Sequence, residues 1–120
     1  MAIINKMPNL AHLEIGGLLH VDEFFNALTR RAGHTLKTLS LNGEGKDIQT
    51  FADGLSHCTN LHSLHLYDIY FDEEHIFFPP TVQSLRLVTV SGLNPDRLLQ
   101  LLKDSSWQPH LRRLSFVPVS

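Results

Sequence analysis

Between His57 and Leu66 the chain reads HCTNLHSLHL, gathering three histidines and its only cysteine. These residue types suit zinc. A zinc site needs four ligands converging tetrahedrally, usually from two short-spaced pairs. Here His57 and Cys58 are adjacent and diverge. His62 and His65 are three apart, which puts them on opposite sides of a strand. No Cys-x-x-Cys or His-x-x-x-His pair completes a set. The better reading gives the core to Leu61, Leu64 and Leu66, turns His65 outward, and makes Cys58 a buried filler of a helix–strand turn.

Other patterns that could do chemistry weaken in the same way. Asn42–Asp47 reads NGEGKD, but a phosphate loop needs Lys followed by Ser or Thr, and Asp47 would repel a phosphate. Glu73-Glu74-His75 lacks the two-histidine arrangement of a zinc protease, and the carboxylates at Asp72, Glu73 and Glu74 have no arguable pocket. No G-x-S-x-G elbow is present. The expectation is a chain that is not an enzyme, with no catalytic residues, no cofactor and no metal.

What must position the remaining polar residues is set by composition and pattern. The 120 residues suit one domain, 1–120, long enough to bury a core without staples. Hydrophobic residues make up 42% and charged residues 18%, with a net charge of -2, which gives nucleic acid no basic footprint. One cysteine excludes an internal disulfide. No signal-peptide core and no apolar run of about 18 residues occurs, so the expectation is no membrane and a cytoplasmic or nuclear location.

One pattern recurs five times: Leu10-x-x-Leu13-x-Ile15, Leu36-x-x-Leu39-x-Leu41, Leu61-x-x-Leu64-x-Leu66, Val82-x-x-Leu85-x-Leu87 and Leu111-x-x-Leu114-x-Phe116. Its starts lie 26, 25, 21 and 29 residues apart. The last two apolar residues of each are two apart and share one face of a strand. Parallel neighbours need crossover links, helical or turn-like. Val21–Leu28 has helical apolar spacing, acidic Asp22 and Glu23 in its first turn, and Arg30, Arg31 and Gly33 to close it. Asp47 can cap Ile48–Leu55, and Asn94-Pro95 starts a helix that carries Leu98, Leu99, Leu101 and Leu102 on one face. The third link, FDEEHIFFPP, allows a helical turn at most, then an extended approach to the fourth strand. Trp107 and Phe77-Phe78 are expected to pack under the links.

By this pattern the chain resembles leucine-rich-repeat proteins, in particular the irregular intracellular, F-box-type members. The resemblance implies an α/β solenoid, a horseshoe arc with about five short parallel strands on its concave face and helical or turn links on its convex face. It departs from the family where Asn or Cys often stands after each strand, since those positions hold Leu18, Glu44, Ile69 and Val90. The side-chain ladder such residues make is therefore expected to be absent. No obvious cap is visible at either end, although Pro118 could blunt the last edge. The domain then reads as a segment of a longer arc, or one whose ends are covered by a partner or flanking repeats.

Strand alternation names the residues of the concave face. The strongest candidates for contacting a protein partner are His12, Glu14, His65, Tyr67, Arg86 and Arg113, because Arg and Tyr anchor interfaces most often. Charge runs from Glu14 at one end to the arginines at the other. The resemblance implies a non-catalytic protein-interaction module. Its narrower form is substrate recognition in an F-box-type ubiquitin ligase, although the chain carries no F-box segment. The rival reading is a structural fragment of a larger repeat protein with no partner of its own.

Overall fold

The computed structural model describes residues 2–4, 9–17, 19–72 and 78–119. The segment Glu73-Glu74-His75, Phe77 and Leu18 lie outside the described residues. Six strands form one sheet in chain order: β1 (Ala2–Ile4), β2 (His12–Ile15), β3 (Thr38–Asn42), β4 (Ser63–Tyr67), β5 (Ser84–Val90) and β6 (Arg113–Pro118). The five motif strands β2 to β6 are parallel. Among the described residues three helices occupy links: α1 (Val21–Ala32), α2 (Ala52–Ser56) and α3 (Pro95–Lys103). None is long and apolar enough to cross a membrane.

The motif spacing becomes register. Leu13, Leu39, Leu64, Leu85 and Leu114 align across the sheet, as do Ile15, Leu41, Leu66, Leu87 and Phe116. Both rows are buried from β2 to β5 and only half-buried on β6. The strands β3 to β6 each begin with the same device. Lys37 N and Thr38 N both donate to Ala11 O, His62 N and Ser63 N to Lys37 O, Gln83 N and Ser84 N to His62 O, and Arg112 N and Arg113 N to Gln83 O. The hydroxyls of Thr35 and Thr81, each one residue before a motif, add bonds to Leu10 O and Leu61 O.

As the chain leaves these strands it turns left-handed, at Gly17, Glu44–Gly45, Asp68 and Thr89, the last inside a bulge of β5. Beyond the turns, Asp47, Tyr70 and Ser91 form a short second ladder, with Ile48 N donating to Tyr70 O and Phe71 N to Ser91 O. Backbone groups thus bond one another beyond the outgoing turns. Ile69 and Val90 are buried in the core. Gly92, at φ 80°, lies so close to the second ladder that an added Cβ would stand 2.1 Å from Phe71 O.

The links follow their apolar spacing, with corrections. α1 buries Val21, Phe25, Leu28, Thr29 and Ala32. Gly33 does not close it with a left-handed turn: its φ is -58°, and the chain continues into a 3₁₀ turn over Gly33–Thr35. The need for glycine is spatial, since a Cβ there would meet His57 O at 2.7 Å. Asp47 does cap its link, accepting from Gln49 N, but the link begins as a 3₁₀ turn over Ile48–Phe51 before α2. Phe51 packs edge-on against Phe25 at 5.8 Å. Asn26 joins the two links, donating to Thr50 O and accepting from Gly54 N. In the third link the approach to β5 is not simply extended, because Val82 N closes a turn onto Pro79 O.

Asn94 caps α3 by accepting from Arg97 N, with Pro95 in the first turn. The four leucines do not all pack: Leu98 is buried and Leu101 half-buried, whereas Leu99 and Leu102 are exposed. A nine-residue helix carrying leucines in two adjacent pairs presents more apolar surface than its contact stripe covers. Trp107 and Phe78 are buried and meet edge to face. Beside them buried Gln108 accepts from Phe78 N and donates to Pro79 O, tying the fourth link to the third.

The absence of a cap at the first end is overturned. β1 lies antiparallel on β2, pairing Ile4 with Leu13 and Ala2 with Ile15. The two rows therefore end differently, and truncation should show it. Leu64→Ala is expected to destabilise by about 2–5 kcal/mol, as buried Leu truncations do. Leu114→Ala in the same row should cost less than half as much. Urea denaturation of both variants at low protein concentration checks this; equal losses would show that β6 is as well covered as β4.

Candidate functional site

The register that buries the leucines lines up the residues between them on the open face of the sheet. One row holds His12, Thr38, Ser63, Ser84 and Arg113, and a second holds Glu14, Ser40, His65, Arg86 and Ser115. Tyr67 stands beside Asn42 and Val88 in a third. All six expected contact residues therefore lie on this face. His12, Glu14, Arg86 and Arg113 are exposed, and His65 and Tyr67 half-buried.

The structure gathers four of the six. His12 and Glu14 on β2 and His65 and Tyr67 on β4 line a depression of about 420 Å³, with Thr38 and Ser40 on β3 between them. Its cause is side-chain size: two small residues on the middle strand leave a trough between longer ones on either side. Strands about 4.8 Å apart make such a trough roughly 10 Å from wall to wall. That is wide enough for side chains or a short extended segment of chain. Arg86 and Arg113 stand beyond it, one and two strands past β4. With neighbouring strands about 4.8 Å apart, Glu14 and Arg86 are separated by roughly 14 Å across the sheet. The face thus offers a carboxylate at one end, guanidinium groups at the other, and imidazole and phenol groups between.

Leu61, Leu64 and Leu66 are fully buried. His57, just past α2, pairs its Nδ1 with Asp53 O at 2.8 Å, a favourable place for imidazole at a helix end. His62 is exposed, and His65 belongs to the trough wall. Cys58 is buried, and its thiol donates to Gly54 O. Among the described residues no three His, Cys, Asp or Glu side chains are placed to hold a metal ion. The Asn42–Asp47 segment is a turn: Asn42 accepts from Glu44 N, Lys46 N donates to Gly43 O, and the Lys46 ammonium lies 3.8 Å from Asp22.

A second concavity, about 520 Å³, lies among the links, lined by Ile48, Leu55, Cys58, Phe78 and Pro79 among others. Its lining is mostly apolar. The trough itself was only partly legible, since alternation names the face but the depth depends on which small residues sit between which large ones. No family model, no curated protein and no solved structure matches the chain.

Burial pushes the Cys58 thiol up to about 12. The unfolded thiol ionises near 9, so the folded state holds its proton longer. The associated stability is complete below about pH 9 and is lost as the pH climbs towards 12. Cys58 should therefore resist a thiol reagent at pH 8 in the native protein and react fully in denaturant, as a colourimetric thiol assay reads. Rapid native modification would show that the thiol is accessible.

Proposed function

We propose that the chain is a leucine-rich-repeat-type solenoid that binds a protein partner through the open, concave face of its strands, without catalysis. The observation that carries this is the trough between β2 and β4 with the arginines beyond it. Apolar residues of the motif are committed to the core, so the exposed positions between them are free to vary without unfolding the sheet. They supply Tyr67, Arg86 and Arg113, residue types enriched among contacts that dominate binding energy. The polarity of the face fits a partner segment that places basic groups near Glu14 and acidic groups near Arg86 and Arg113.

Substrate recognition in an F-box-type ubiquitin ligase is the narrower form of this reading, and it rests on sequence resemblance. The same experiment tests both. Wild-type chain and a Tyr67→Ala/Arg86→Ala/Arg113→Ala variant are used for affinity capture from native cells, with mass spectrometry of what binds. All three side chains lie on the open face, so the circular dichroism spectrum should be unchanged. The variant is expected to lose at least about tenfold of a specific partner, the equivalent of about 1.4 kcal/mol. Ligase subunits captured alongside would support the narrower form. Equal capture by both proteins would contradict the concave-face reading, and chaperones alone would favour a structural segment with no partner of its own.

A further inference from the structure

Charge on the open face is sparse and widely spaced. Among the side chains that β2 to β6 turn to that face, Glu14 is the one carboxylate, and Arg86 and Arg113 are the formal cations. Neither Glu14 nor Arg86 is ion-paired within the fold: the ion pairs of the described residues join Arg30 to Asp53 and Lys46 to Asp22. Both are exposed. They also share one row, Glu14–Ser40–His65–Arg86–Ser115, which crosses the sheet from β2 to β6.

That row sets a spacing. With neighbouring strands about 4.8 Å apart, Glu14 and Arg86 stand roughly 14 Å from each other along it. An extended segment laid along the row advances about 3.4 Å per residue and turns alternate side chains to the sheet. Residues four apart then face the sheet together, about 14 Å from each other. A spacing of two reaches only between Ser40 and His65, short of Arg86. A spacing of six carries past Arg86 to Ser115. Spacings of three and five turn one of the two side chains away from the sheet. In a helix, residues four apart are only about 6 Å apart along the axis and do not span the row.

On the reading that the concave face binds a protein, we infer that the bound segment is extended and carries arginine at one position and Asp or Glu four residues from it. The arginine lies in the trough against Glu14, and the acidic side chain meets Arg86. The trough favours arginine over lysine. Its lining supplies the Glu14 carboxylate and the hydroxyls of Thr38 and Ser40, all able to accept. A guanidinium presents five donors in a plane and is weakly hydrated, whereas an ammonium presents three and holds its water strongly. At the other end of the row, a carboxylate can take two parallel hydrogen bonds from the Arg86 guanidinium.

Panning a random displayed-peptide library on the immobilised full chain tests this. Glu14→Arg, Arg86→Glu and the Tyr67→Ala/Arg86→Ala/Arg113→Ala variant are panned in parallel. Both single substitutions fall at exposed positions, so circular dichroism should be unchanged. The wild type should enrich arginine four residues from Asp or Glu, in either chain direction. Glu14→Arg should exchange the arginine for a second acidic residue, and Arg86→Glu should exchange the acidic residue for a second arginine, each with the spacing of four retained. In fluorescence anisotropy, a peptide selected on the wild type should bind Glu14→Gln about fivefold more weakly, the loss of one well-formed exposed ion pair. Lysine enriched as strongly as arginine would overturn the choice of arginine. Peptides that need Tyr67, Arg86 and Arg113 but carry no charge pair at this spacing would overturn the inference and leave the concave face as a binding surface. Peptides held equally by the triple variant, or no enrichment at all, would overturn both.

Discussion

Each motif strand after the first begins with two adjacent N–H groups donating to one carbonyl of the preceding segment, and the remaining structure depends on that shared bond. The acceptors are Ala11, Lys37, His62 and Gln83, and the paired donors begin at Lys37, His62, Gln83 and Arg112. Because the side-chain period of a strand is two, a slip of one residue would send every leucine to the open face. The shared acceptor fixes the start of β3 to β6, the leucine rows then coincide, and the polar rows must coincide on the other side. Links of different length and type are accommodated because the variation falls between these fixed points.

Stability and the candidate binding face are consequences of one register. The buried rows stack into a continuous core in which each segment depends on its neighbours, as expected when no single segment can bury its own apolar side. The outer rows inherit their alignment from that core, which lets small residues on β3 lie between large ones on β2 and β4. The second ladder through Asp47, Tyr70 and Ser91 holds the outgoing turns in step, while Gln108 and Asn26 use both ends of their amides to tie one link to the next.

Much of this was legible in the sequence for a physical reason. Alternation fixes which residues share a face, and the five motifs repeat it, so β2 to β6 and the membership of the open face follow directly. Helix signals worked where they were local, at Asp47 and Asn94. Misses came where the cause is long-range. β1 is three residues without a motif and exists through pairing with β2. Gly33 looks like a helix terminator but serves the close approach of His57. Thr35, Thr81 and Gln108 carry no pattern that separates them from surface polar residues until their partners are known. The trough needs the order of sizes across three strands, which no one segment contains.

The most direct test of the shared register is solution nuclear magnetic resonance of the isotopically labelled chain, reading nuclear Overhauser contacts between backbone protons of neighbouring strands. A continuous parallel path is expected in which Ser40 neighbours His65 and His65 neighbours Arg86, flanked by Leu39–Leu64–Leu85 one residue earlier. Contacts offset by one residue, or an antiparallel pattern between β3, β4 and β5, would contradict the shared register and remove the common face that depends on it.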